Sequence, residues 1–225
     1  MTAADEAPAQ PRGRALPPWW AVLLVAVGVV GVAFAIGRFS TFAQTPATPL
    51  STSAEAGFAR DMQVHHAQAV EMAMQVYRTT DDPRIRVLAY DIATTQSAQK
   101  GEFYDWLVKW GLPQAGGPLM SWMSGTEHAH GGAGTTPSED ELMTEMGMAS
   151  SAELAELAST TGTPGDCLFL GLMIRHHEGA IPMAQALLDL GSEPRALAVA
   201  SGVIATQSAE IDLMRSLQTQ LSCTP

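Results

Sequence analysis

Residues 166–184 read DCLFLGLMIRHHEGAIPMA, and residues 55–73 read EAGFARDMQVHHAQAVEMA. The two stretches share a skeleton: Phe169 with Phe58, Met173 with Met62, His176-His177 with His65-His66, Ala180 with Ala69, and Met183-Ala184 with Met72-Ala73. Followed outward at the same offset of 111, the match continues without a gap. Pro194-Arg195 stands over Pro83-Arg84, Ala200 over Ala89, and Thr206 to Ala209 over Thr95 to Ala98, making 14 identities between 58–99 and 169–210. So long and ordered a match implies an internal duplication.

Each copy reads as a helical hairpin. Thr52 and Glu55 have capping-box spacing at the start of the first helix. Asp82-Pro83 and Glu193-Pro194 each offer an N-cap followed by proline at the first helical position. Gly111 and Gly191 stop helices, and Asp166 opens the third long one. Turns this short force antiparallel neighbours. The spacing therefore predicts an all-α, four-helix bundle built from two duplicated hairpins, 53–111 and 164–222. Between them, 112–163 forms a crossover with a Gly/His/Met loop and two short helices, opened by capping boxes at Ser138/Glu141 and Ser150/Glu153.

Outside the repeat, the run WWAVLLVAVGVVGVAFAI from Trp19 to Ile36 carries no charge. At about 1.5 Å per residue it spans roughly 27 Å, near the thickness of a bilayer core. Residues 19–37 are read as a transmembrane anchor, 1–18 as a disordered cytoplasmic N-terminus with four prolines, and 38–52 as a linker. Arg12 and Arg14 precede the run, which favours a single pass through the plasma membrane with the bundle outside. Cleavage after Ala43, giving a secreted protein, is the alternative.

Composition narrows the function. The chain has 225 residues, a net charge of -11, 12 Met and two Cys. The acidic balance excludes nucleic acid as a partner, because phosphate contacts need a basic face. Two cysteines exclude a zinc-finger cluster. Cys167 and Cys223 fall at adjoining ends of the second hairpin, so they are expected to form a disulfide worth about 4 kcal/mol outside the cytoplasm. Two free thiols are the alternative.

The chemistry sits on two helices. At about 100° per residue, Met62, His65 and Met72 share one stripe, as do Met173, His176 and Met183, with His66 and His177 turned toward the next helix. Thioether with imidazole suits copper, above all Cu(I). The competing reading makes the Met stripe core packing and the His pairs buried hydrogen-bond fixtures, with Gln96 and Gln207 as their partners. Met120, Met123, His128, His130, Met143 and Met146 in the crossover are candidate accessory ligands; an incidental loop is the plainer reading. A di-iron site would need Glu-x-x-His, which is absent, and His177-Glu178 does not continue into a zinc hydrolase motif. No nucleophile or acid–base pair appears, so an enzyme is not expected; a metal-dependent oxidase would need an open coordination position. Pro182 interrupts the backbone bonding of the third long helix, which either shapes a site or is tolerated packing.

The pattern Asp166-x-x-Phe169-x-x-x-Met173-x-x-His176-His177-x-x-Ala180-x-x-Met183-Ala184 resembles the bacterial family "domain of unknown function 305". Gly147-Met148-Ala149-Ser150 with Glu153, Leu157 and Ala158, and Gln207-x-x-Glu210-Ile211-x-x-Met214, are similar to it as well. The first copy has Gln99 where Glu would stand. The resemblance covers about 53–222. It implies a ferritin-like bundle, usually exported, with some relatives linked to periplasmic copper binding and resistance. The functional expectation is a membrane-anchored, extracytoplasmic copper-binding protein that buffers copper or passes it to a copper-handling or membrane partner. The alternative is a structural module of a membrane-bound assembly.

Overall fold

The computed structural model describes residues 18–42, 48–124 and 137–223. Among them every regular element is helical: α1 Trp19–Phe42, α2 Ala54–Thr79, α3 Pro83–Lys109, α4 Glu139–Glu145, α5 Ser151–Ser159, α6 Gly162–Leu190 and α7 Pro194–Leu221, with a short 3-10 turn at Ser121–Met123. The chain divides into two units, 1–47 and 48–225.

In the first unit, α1 carries the apolar stretch Trp19–Arg38, which is long and apolar enough to cross a membrane and has no part buried. A signal sequence has the same character. The reading of 1–18 as disordered falls, apart from Pro18, outside the described residues.

The second unit is built from α2/α3 and α6/α7, each pair antiparallel, with α2 facing α6. Local chemistry fixes the helix ends. Asp82 caps α3 by accepting from Arg84 N at 2.8 Å, and Glu193 caps α7 by accepting from Ala196 N at 2.6 Å, each with proline next. Gly111, at φ 67°, closes α3 as Leu112 N reaches back to Leu107 O. That is a Schellman ending, and the left-handed backbone favours glycine there. Both crossover capping boxes form, on Ser138/Glu141 and Ser150/Glu153.

Two helix starts differ from expectation. The cap of α2 is Ser53, which accepts from Ala56 N, not Thr52. Glu55 instead turns toward the other hairpin, where its Oε1 accepts from Ser192 N at 2.6 Å and Glu193 N at 3.1 Å. Likewise α6 starts at Gly162, with Asp166 inside it and buried. Asp166 bonds Thr80, in the first hairpin's turn. Each acid holds the opposite hairpin's turn, a long-range task that local spacing does not reveal. The helix α6 continues through Pro182 without a break.

The bundle core divides into two apolar clusters. One holds Phe58, Met62, Phe103, Trp106, Met183, Leu187 and Val203. The other holds Met72, Val76, Ile85, Phe169, Met173, Met214 and Leu217. Met62 therefore groups with Met183, and Met72 with Met173, as antiparallel α2 and α6 require. Cys167 and Cys223 are bonded at the second cluster's end, with Cα atoms 5.5 Å apart and a sequence separation of 56. Closing a loop of that length restricts the unfolded chain by about 4 kcal/mol.

Candidate metal centre

Between the two apolar clusters lies a buried polar waist. His65, His66, His176 and His177 are fully buried, and Gln96 and Gln207 nearly so. The four rings form a chain: His66 to His65 at 6.1 Å between centroids, His65 to His176 at 3.6 Å, and His176 to His177 at 6.3 Å. The central contact joins residues 111 apart, so the repeat meets itself where α2 crosses α6.

Every Nε2 has a partner. His65 Nε2–H donates to Met146 O at 3.0 Å, and His176 Nε2–H to His65 O at 3.1 Å. A carbonyl can only accept, which fixes both rings as Nε2–H tautomers when neutral. His66 Nε2 meets Gln99 Oε1 at 2.8 Å, and His177 Nε2 meets Glu210 Oε2 at 2.6 Å. Gln96 and Gln207 do not serve as the partners expected of them. Gln99 and Glu210 do, one turn further along the same helix faces. The sequence does not separate the two choices: Gln99 aligns with Glu210 at the offset of 111, but Gln96 aligns with Gln207 at the same offset.

What remains is a set of unpartnered polar atoms. All four Nδ1 atoms are buried with no hydrogen-bond partner, as are both side-chain polar atoms of Gln96 and of Gln207. Each such atom ordinarily costs about 1–3 kcal/mol, so eight in one layer require an explanation. Burial drives three of the rings, His65, His66 and His176, toward the neutral form that a metal needs. It pushes His65 down to about 4 and His66 to about 3, and holds His176 well below its usual value.

The sulfurs are distributed, not gathered. Met62, Met72, Met173 and Met183 are all buried, but Met62 and Met72 lie on opposite sides of the waist. Met62 is three residues from His65 and Met72 is seven, which is about 4.5 and 10.5 Å along a helix. A shared stripe is thus not a shared site. Any one position draws on a thioether from each helix, Met62 with Met183 or Met72 with Met173. Among the described residues no three His, Cys, Asp or Glu side chains are grouped to hold a metal, so a site here would complete its ligand set with thioethers.

The crossover presses onto this waist. Its Met146 supplies the carbonyl for His65, and Gly147 and Gly179 touch: a Cβ on Gly179 would lie 1.9 Å from Met146 O. At the position equivalent to Gly179 stands Gln68, which grips Ala149 by two bonds of 2.7 and 2.8 Å. Of the candidate accessory residues, Met123 and Met146 are buried in the first cluster and Met120 and Met143 pack against it. His128 and His130 lie outside the described residues.

The profile of the family "Domain of unknown function (DUF305)" matches residues 55–218. The chain belongs to that family. A DUF305 protein of Streptomyces coelicolor, described as secreted, is 37% identical, with 77% of this chain and 96% of that one aligned and a TM-score of 0.67. A DUF305 fragment from Deinococcus radiodurans is 31% identical over 78% and 99% of the two chains, with a TM-score of 0.62. CopM in its Cu(II)-bound form is 25% identical over 75% and 97%, with a TM-score of 0.56. No protein of curated function matches.

Proposed function

We propose that this member of the DUF305 family is a membrane-anchored, extracytoplasmic copper-binding protein, with α1 as the anchor and its N-terminus cytoplasmic. It buffers copper or passes it on, and transforms no substrate. The observation that carries the reading is the row of four buried imidazoles whose Nε2 atoms are engaged and whose Nδ1 atoms are bare. Metal-binding histidines are commonly oriented in this way, by a second bond from the other ring nitrogen. The donor set fits copper: neutral imidazole beside Met62, Met72, Met173 and Met183 is soft and suits the monovalent ion. The structure of CopM with Cu(II) bound supports the same class of ligand.

His65, His66, His176 and His177 would hold the metal, with the four methionines completing the set. Copper supplies only an electron-pair acceptor there. The protein favours the neutral form of His65, His66 and His176 by burial, orients the four rings through Met146 O, His65 O, Gln99 and Glu210, and excludes water between two apolar clusters. Met120, Met123, Met143, Met146, His128 and His130 are proposed as a relay on the crossover toward a copper-handling partner. A second reading rests on the four Nε2 bonds: the rings serve only as hydrogen-bond fixtures in a structural module of a membrane-bound assembly.

Titration of the detergent-solubilised full chain with Cu(I), in competition with a chelator, separates the two. The copper reading predicts binding tighter than micromolar that is lost in His65→Ala/His176→Ala while the melting transition persists. Wild-type binding no tighter than micromolar contradicts it.

A further inference from the structure

The two ends of the histidine chain share their burial and their bonding pattern; His66 lies against the Phe103 ring, where the other copy has Met214, and the acceptors differ in charge. His66 and His177 are both fully buried, both have a bare Nδ1, and both engage an acceptor 33 residues on. The acceptor is the neutral amide of Gln99 at one end and the carboxylate of Glu210 at the other. The repeat makes them equivalent positions, since 111 residues separate them as they separate His66 from His177.

We propose that this exchange makes the two ends unequal in the oxidation state they accept: the His177 end takes divalent copper, and the His66 end is restricted to monovalent copper. This rests on the copper reading above. A second positive charge placed among buried neutral donors is costly unless a negative group lies nearby. Glu210 provides one across a single imidazole, at a 2.6 Å bond that also pulls electron density toward Nδ1 and makes it a stronger donor. Gln99, at 2.8 Å, orients its ring equally well but contributes no charge. The buried methionines give no charge either, so among neutral soft donors the monovalent ion is the one matched. Glu210 and Gln99 are therefore positioning residues that set ion selectivity through the rings they hold.

The test uses the full chain in detergent with two ions separately: Cu(II), and Ag(I) as an air-stable monovalent probe. Glu210→Gln keeps the shape and the hydrogen bond and removes the charge. It is expected to weaken Cu(II) binding by about tenfold or more while Ag(I) affinity shifts less than about threefold. Gln99→Glu, the reverse change, is expected to strengthen Cu(II) binding and leave Ag(I) nearly unchanged. A purely structural role would move both ions together. Equal loss of both ions in Glu210→Gln, or an unchanged Cu(II)-to-Ag(I) ratio in both variants, overturns the proposal while leaving copper binding intact. Wild-type binding of Ag(I) without Cu(II) would also overturn the proposal, whereas absence of binding of both ions would remove the copper reading itself.

Discussion

The two hairpins close their open ends by different means. The second uses a covalent bond, Cys167 to Cys223. The equivalent residues in the first are Ala56 and Leu112, and its closure is a clasp of side chains from α2 and the crossover. Trp122 packs edge-on against Phe58 and lies directly over Gly57, where a Cβ would fall 2.3 Å from the indole. Buried Asp61 accepts from Met120 N and Trp122 Nε1, each at 2.8 Å, while Arg60 reaches Pro113 O and Ser51. Between these unlike ends, the waist is the same in both copies: His-His, a glutamine one turn before the acceptor, and methionine on either side. The two stretches agree where the polar layer lies and differ where the ends are sealed. That pattern is what a site at the waist would require.

The comparison can be broken at its ends first. Replacing Cys167 and Cys223 by serine is expected to cost on the order of 4 kcal/mol, read as a large fall in melting temperature under non-reducing conditions. A loss below about 1 kcal/mol would mean that the second end stays closed without its covalent bond. Asp61→Ala leaves two donors without their acceptor in the first hairpin and is expected to cost about 2 kcal/mol. Chemical denaturation measures it, and little change would show that the crossover does not clasp that end.

The waist can then be probed by acid. Burial lowers His65 to about 4 and His66 to about 3 from an unfolded value of 6.5. The stability these groups contribute is present above pH 6.5 and is lost as pH falls through those folded values. The slope is about 1.4 kcal/mol per pH unit for each ring in that window. Asp61 acts in the opposite sense: burial raises it from 3.8 to about 6, so its contribution is present below 3.8 and is lost as pH rises through 6. The three buried rings with lowered values outweigh one carboxyl. The metal-free chain is therefore expected to lose stability steadily below pH 6.5 in denaturation followed by circular dichroism. A flat profile down to pH 4 would indicate that the rings reach water.

The sequence carried the hairpins because their ends are written locally. Asp82-Pro83, Glu193-Pro194, Gly111 and the two crossover capping boxes each sit where the helix terminates. The helix starts at Thr52 and Asp166 were misplaced because Glu55 and Asp166 look like local caps yet serve the opposite hairpin's turn. The His pairs were legible as a repeated motif, but their acceptors were not. Gln96 and Gln99 both face inward a turn apart, and only the packing of α3 on α2 decides which reaches His66. The division of the methionines between two ends was hidden as well, since a helical stripe gives direction but not distance along the axis. The crossover's grip on the waist, through Met146 O and the Gly147–Gly179 contact, depends on segments far apart in sequence.

The central claim is that bare Nδ1 atoms at the waist receive copper. Anomalous scattering at the copper edge, from crystals of the chain loaded with Cu(I), tests it most directly. The account predicts peaks at the waist, bonded to Nδ1 of the histidines, with Nε2 still on Met146 O, His65 O, Gln99 and Glu210. Copper found only outside the bundle, or bonded through Nε2 with those acceptors released, would contradict it.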